Sequence, residues 1–477
     1  MAKYFDIHNH LFNKDFLAKE LLYRLMKELK NLIHPDRDMA DQRGIKEKVK
    51  KIREVIQAMK RFSYAIKVFS KKDSTAIYEE IDKTYKGEFI LTPLMFDLTF
   101  CFAPTPDRDG NVENDPVKKV FEKEMNNMFK QIEKRTSSLS RDVNSESSDK
   151  EDKLWNTYLK EKEKFFKSAE KLQLQDEKDS GKIMRGAGVR RIPTKTDGFE
   201  EQIKQLKELK AHPKYKDMVF PFLVVDPRRE GILELAKENV GKDKLFIGIK
   251  LYCPTGYSPT DPLLYGPEGE RGGIYAFCED NGIPVTTHNS DGGFATLSKR
   301  LLVSGHIYVN GEIQYLDKEY VDFGTSILDK DAVYERAVTL NHPQLWRKVV
   351  EKYPRLILNL AHFGGGQQLE GAVDHPDVAE LWSNNIISLV KDQRYNVYTD
   401  LSCYSEFSIL RKFHESPIFQ EIKHKVLYGS DFTLLLLFDS DFDNNVSQFK
   451  QIFGADFDII ANANPKEFLK NVLTLDI

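Results

Sequence analysis

Eight short apolar runs, most of them closed by a polar residue, constrain this chain more than any other feature. They cover 3–12 (KYFDIHNHLF), 88–98 (EFILTPLMFDL), 219–226 (VFPFLVVD), 245–252 (LFIGIKLY), 283–288 (IPVTTH), 356–362 (LILNLAH), 396–401 (NVYTDL) and 426–431 (VLYGSD). Runs of this length, rich in β-branched and aromatic residues, read as buried strands. Between most of them lie segments with apolar residues at helical spacing, such as 199–209, 345–352 and 378–390. A last helix is expected over 465–473, with proline at its start. Strands alternating with helices predict an α/β protein, and eight of them predict a (β/α)8 TIM barrel with helical insertions. An open doubly wound sheet would need a phosphate-cradling glycine loop after an early strand. The only glycine cluster of that kind, Gly364-Gly365-Gly366, follows a late strand and does not fit G-x-G-x-x-G.

The strands are unevenly spaced, and the gaps place the insertions. Residues 1–477 are read as one barrel domain. Residues 14–86 form a helical insertion after the first strand. One helical run there is Phe16, Leu17, Leu21, Leu22, Leu25, Leu29 and Leu32; a second is Val49, Ile52, Val55, Ile56, Met59, Phe62 and Ile66. Residues 107–182 are strongly polar and read as a charged helical hairpin inserted between the second and third strands, with a Ser-rich stretch at 136–152.

Composition removes several function classes. A formal net charge of −3 gives no electrostatic case for nucleic acid or an anionic membrane as partner. No apolar run reaches the roughly 18 residues of a membrane span. The four cysteines, Cys101, Cys253, Cys278 and Cys403, lie far apart with no C-x-x-C. They predict reduced thiols and a cytoplasmic protein rather than a disulfide framework or a zinc knuckle. The first strand begins almost at Met1, leaving no room for a signal peptide. The expected partner is a small-molecule substrate, and the sequence leaves homo-oligomerisation open.

The chemistry collects at strand ends. Strand alternation points Tyr4, Asp6, His8 and His10 to one side. Two imidazoles two residues apart make a pincer for a metal such as zinc. In the fourth strand the same alternation sets Lys250 opposite the aliphatic stripe of Leu245, Ile247, Ile249 and Leu251. His288, His362 and Asp431 each close a strand. Singly, each has a bland alternative: a core histidine, a snorkelling lysine, a helix cap. Together, at the ends where barrel enzymes carry their catalytic groups, they predict a single site. Asp439, Asp441 and Asp443 look like a calcium loop, but Asn444 stands where its glycine belongs and Lys450 where its final glutamate belongs. There is no G-x-S-x-G elbow and no Walker loop.

The motifs DIHNH, FLVVDPR, IGIKLYCPTGY, NGIPVTTHNSDGG, LILNLAHFGGG, YTDLS, YGSDF and NPKEFLKNV, in this order, resemble the amidohydrolase superfamily of metal-dependent barrels. Within it the chain is similar to the amidohydrolase-related (amidohydrolase 2) branch that includes aminocarboxymuconate-semialdehyde decarboxylase. The resemblance implies that His8, His10, His288 and Asp431 ligate a divalent metal, most often Zn2+, with Mn2+ or Fe2+ as alternatives. It implies His362 as the acid/base or polarising residue. Asp431, close to a metal-bound water, is expected to take its proton and pass it to the leaving group. Binuclear members carry a carbamylated lysine on the fourth strand, so Lys250 raises the alternative of two metals. The expectation is one metal, with Lys250 contacting a substrate anion or a neighbouring carboxylate. Tyr252, Asn289 and Arg271 are further candidates for substrate contacts, as are Asp291 and Asp400.

The leading function is a metal-dependent hydrolase that uses a metal-activated water to cleave a C–N or C–O bond of a small molecule. The alternatives are a non-oxidative decarboxylase of an aromatic or unsaturated carboxylate, and a metal-containing binding protein without turnover.

Overall fold

A computed structural model describes residues 3–13, 45–102, 192–193 and 197–474, except 268, 297, 326–330 and 440, with isolated helical positions within 156–164. The helical run at 16–32, the Ser-rich stretch and most of the polar hairpin lie outside these residues.

All eight expected strands form. They are β1 (Tyr4–Asn9), β2 (Phe89–Pro93), β3 (Phe222–Val224), β4 (Gly248–Leu251) and β5 (Val285–Ser290), then, after a hairpin described below, β8 (Leu358–Gly364), β9 (Val397–Asp400) and β10 (Val426–Leu427). Every recorded pairing among them is parallel: β1 with β2, β3 with β4, β4 with β5, β5 with β8, β8 with β9, and β9 with β10. Backbone hydrogen bonds join the two remaining seams. Leu91 N donates to Met218 O at 2.8 Å, and Met95 N to Phe222 O at 3.1 Å, linking β2 to β3. Ile7 N donates to Tyr428 O at 3.0 Å, and Asp431 N to His8 O at 2.6 Å, linking β1 to the end of β10. The ring of eight is complete, so the fold is a (β/α)8 barrel.

The strands are buried along almost their whole length, as helix-covered parallel strands must be. The covering helices include α1 (Ile45–Phe69), α2 (Ser74–Tyr85), α3 (Asp197–Ala211), α4 (Ile232–Asn239), α5 (Gly273–Asn281), α6 (Ala332–Asn341), α7 (Pro343–Lys352), α8 (Gly366–Asp374), α9 (Trp382–Lys391), α10 (Phe407–Glu415) and α11 (Phe442–Phe453). In α7, Leu345, Trp346, Val349 and Val350 form one buried face. Truncating a fully buried tryptophan such as Trp346 costs about 3–5 kcal/mol. Asp441 caps α11 by accepting a hydrogen bond from Asn444 N. A capping role accounts for the aspartate that the calcium-loop pattern brought to notice.

Between β5 and α6 the chain forms an antiparallel hairpin, β6 (Arg300–Val309) with β7 (Glu312–Asp322). Its turn is Asn310-Gly311, both with positive φ, which suits a type I′ connection. Leu301, Val303, Ile307, Phe323 and Leu340 give it a small core of its own. No helix among the described residues is long and apolar enough to cross a membrane.

Candidate metal centre

The C-terminal strand ends surround a cavity of about 300 Å³, lined among others by His8, His10, Lys250, His288, His362 and Asp431. The sequence placed these six residues at strand ends, and the barrel brings all six to one mouth.

β1 supplies two imidazoles whose tautomers can be read from their partners. His10 Nδ1 lies 2.8 Å from Leu94 O. A carbonyl only accepts, so Nδ1 carries a proton. The other nitrogen, Nε2, lies 3.2 Å from Asp431 Oδ1. His8 Nδ1 lies 3.1 Å from Asp400 Oδ2, so its Nε2 is bare. His8 Nε2 is 3.7 Å from the same Asp431 oxygen. Neither His8 Nε2 nor Asp431 Oδ1 has a hydrogen-bond partner, and both are buried. A bare imidazole nitrogen facing a carboxylate oxygen, both buried, is an arrangement that a cation between them would satisfy. The donor atoms of His8, His362 and Asp431 lie within 4.8 Å of one another, a group able to hold a metal ion. The donor set, imidazole with carboxylate, suits several divalent metals.

Electrostatics keep the set ready to bind. Burial, then the Lys250 cation, push His8 down to about 3, so its ring stays neutral. Burial lowers His362 and His288 as well. Burial brings Lys250 down to about 8, opposed by Asp400 and Asp431. Its Nζ has no hydrogen-bond partner.

The backbone is strained where the chemistry lies. His362, Phe363 and Asp431 take φ of 64°, 49° and 54°. Non-glycine residues there cost of order 1–3 kcal/mol each and cluster at functional sites. Gly429, just before Ser430 and Asp431, lets β10 approach β1: a Cβ at this position would lie 2.6 Å from His8 Cβ.

A model of the amidohydrolase family, Amidohydro_2, matches residues 173–451, more than half of the sequence. The chain belongs to the amidohydrolase family. The matched region holds Lys250, His288, His362 and Asp431; His8 and His10 precede it. No curated protein matches the sequence. Solved structures that match include an uncharacterised TIM-barrel protein from Bordetella bronchiseptica, at 15% identity over 57% of this chain and 72% of that one, with a TM-score of 0.34. A 2,6-dihydroxybenzoate decarboxylase from Rhizobium matches at 14% identity over 60% and 82%, TM-score 0.35. A putative 2-pyrone-4,6-dicarboxylic acid hydrolase from Pseudomonas putida matches at 13% identity over 56% and 77%, TM-score 0.32. The family assignment rests on the sequence match alone.

The remaining expected residues of this amidohydrolase separate into two groups. Tyr252 lines the cavity, stacks on His288 with ring centroids 4.2 Å apart, and accepts a hydrogen bond from Phe294 N at 2.8 Å. His288 Nε2 lies 2.9 Å from Gly292 O, which commits that nitrogen as a donor. Asn289, next to His288 on β5, faces the other way and donates to Asn341 O at 3.0 Å. Arg271, just before α5, is exposed, pairs with Glu279 and Asp280 in the last turn of that helix, and does not line the cavity. Asp291 accepts from Gln368 at 2.9 Å. Asp400 lies behind the site rather than in it: its carboxylate takes hydrogen bonds from Asn359, from the backbone of His362 and Ser402, and from His8. Ser402 escaped the sequence reading. Its one signal was its place two residues after Asp400, on the same face of the chain.

Proposed function

We propose that this amidohydrolase is a metal-dependent hydrolase that cleaves a C–N or C–O bond of a small, carboxylate-bearing molecule. The observation carrying this reading is that His8 Nε2 and Asp431 Oδ1, both buried and without hydrogen-bond partners, face each other at 3.7 Å, with His10 Nε2 3.2 Å from the same oxygen, in one cavity. These residues would hold the ion; His288 lines the same cavity with its Nε2 bonded to the Gly292 carbonyl. A divalent cation there supplies Lewis acidity and lowers the pKa of water towards about 7. His362 faces the same cavity and takes the proton from the attacking water, then returns it to the leaving group. Lys250 Nζ, buried and unpartnered, binds the substrate carboxylate. Phe294, Leu434 and Phe438 supply apolar wall.

A non-oxidative decarboxylase is the second reading. The same bare Lys250 Nζ favours it, since it would hold a carboxylate at the reacting end. Elemental analysis of protein purified without chelator should give about one divalent metal per chain. A panel of amides, lactones and aromatic carboxylates, followed for both hydrolysis and CO2 release, then decides the reaction. Hydrolysis without CO2 supports the proposal, and CO2 release without hydrolysis overturns it for the second reading. Protein that refuses zinc and manganese would sink the metal centre itself.

A further inference from the structure

Behind the metal centre sits a hydroxyl shared by two histidines. Ser402 Oγ lies 3.1 Å from His8 Nδ1 and 2.8 Å from His362 Nδ1, and it bonds Asp400 Oδ1. All four residues are buried, with Ser402 at 1% and Asp400 at 0% exposure. We propose that Ser402 is a positioning residue that, together with Asp400, fixes the tautomers of both His8 and His362 so that each presents a bare Nε2 to the cavity.

The argument is a count of protons. Both Asp400 oxygens accept from groups that can only donate there, Asn359 Nδ2, His362 N and Ser402 N, so the carboxylate carries no proton of its own. An ionised carboxylate has acceptors only. Its Oδ2 accepts from Asn359 Nδ2 at 2.7 Å and from His8 Nδ1 at 3.1 Å. Its Oδ1 accepts from His362 N at 3.0 Å, from Ser402 N at 3.1 Å and from the Ser402 hydroxyl. Two oxygens in contact need a proton between them, so the single hydroxyl proton of Ser402 is spent on Asp400. Ser402 Oγ then has only lone pairs to offer. His362 Nδ1, 2.8 Å away, must bring its own hydrogen. Its other neighbour, the Ser402 carbonyl, is also an acceptor, but at 3.4 Å it is too far to hold the ring without the hydroxyl. His362 is therefore the Nδ1–H tautomer, with its lone pair on Nε2. One carboxylate sets two rings, His8 directly and His362 through the hydroxyl. A lone pair on Nε2 is what His8 needs to ligate and what His362 needs to accept a proton.

The role of the tautomers rests on the metal-dependent reading, but the tautomers themselves can be read without metal. The experiment is nitrogen NMR of full-length, metal-free protein with 15N-labelled histidine, the His362 signals being assigned by their loss in His362→Asn. In the natural sequence both His8 and His362 should be protonated at Nδ1 and bare at Nε2. In Ser402→Ala, His362 should shift towards the Nε2–H form, while His8, still bonded to Asp400, should not. Zinc added to the same samples should bind Ser402→Ala as it binds the natural sequence, because His8 keeps its bare Nε2 through Asp400. Ser402→Thr keeps a hydroxyl and should restore the His362 tautomer. A protonated His362 Nε2 in the natural sequence, or a His362 signal unmoved in Ser402→Ala, overturns the proposal. If Ser402→Ala does not fold, the natural sequence and Ser402→Thr still decide it, since a protonated Nε2 in either is fatal. Tautomers as expected with no zinc bound would support this inference and overturn the proposed metal-dependent function.

Discussion

Two buried charged clusters lie near the same end of the barrel, and they are built to opposite plans. In the loops after β2 and β3, Arg229 Nε donates to Asp97 Oδ2 at 2.6 Å. Asp97 Oδ1 accepts from Thr99 N at 3.1 Å, and Arg229 Nη2 donates to Thr99 Oγ1 at 3.1 Å. Each charge there has its opposite, and the cluster is closed. At the ends of β1, β4 and β10, His8 Nε2, Lys250 Nζ and Asp431 Oδ1 are as deeply buried and have no hydrogen-bond partner. Burying polar atoms without partners costs stability. The closed cluster fixes loops in place; the open one is incomplete until something enters it. Charge and burial alone do not distinguish the two. The unmet hydrogen-bonding capacity does.

The sharpest way to break this contrast is at His8. His8→Ala should drop metal content to background, and turnover with it, while the unfolding midpoint of the metal-free protein stays the same or rises. An unchanged metal content would mean the open cluster is not the metal centre. Arg229→Met should do the reverse. Removing one partner of a buried pair costs about 3–5 kcal/mol, read by denaturant unfolding, with zinc stoichiometry per folded molecule unchanged.

The same variant has a pH signature. Burial raises the Asp97 carboxyl, but Arg229 outweighs it and holds the folded value below the usual one. A depressed carboxylate contributes stability that is present above its unfolded pKa of about 3.9 and lost as pH falls through the folded value. Arg229→Met should abolish that part of the acid destabilisation. If stability falls with acid as steeply in the variant as in the natural sequence, other carboxylates carry it.

Gly429→Ala comes next in size. The new Cβ would crowd His8 Cβ at 2.6 Å, and an overpacked site typically loses about 1–3 kcal/mol. Metal affinity and stability should fall together here, unlike in either variant above, and affinity that survives a loss of stability would separate the strand seam from the metal centre. The smallest effect is expected at Lys250. Lys250→Met should leave metal content unchanged and raise KM for a carboxylate substrate by about tenfold or more, the worth of a charged hydrogen bond. A fall in metal content would make Lys250 part of the ion's own shell.

The sequence made the open cluster easier to find than its supports. All eight strands were legible because parallel strands buried on both faces leave continuous apolar runs, as LILNLAH shows. The six cavity residues were legible because each stands at or near a strand end. Asn289 and Arg271 look as polar as the rest in one dimension, but strand alternation turns Asn289 outward and Arg271 finds Asp280. Asp400 registered only as a polar strand end, since its task depends on reaching His8, 392 residues away. The β6–β7 hairpin did carry a local signal, Asn310-Gly311 between alternating apolar residues, which pattern reading for helices and parallel strands passes over.

The seam between β1 and β10 also sets a schedule. Asp6, at the base of the metal centre, accepts hydrogen bonds from Ser430 N at 2.9 Å and from the Ser430 hydroxyl at 2.6 Å, across 424 residues. A ribosome adding about 5–20 residues per second needs roughly 20–85 s to travel that distance. For that interval β1 is synthesised, its two imidazoles are exposed, and the strand that will pair with its far edge does not yet exist. On the metal-dependent reading, the carboxylate that would complete the ion's cradle is thus among the last parts of the barrel to be made, and metal loading would have to follow folding.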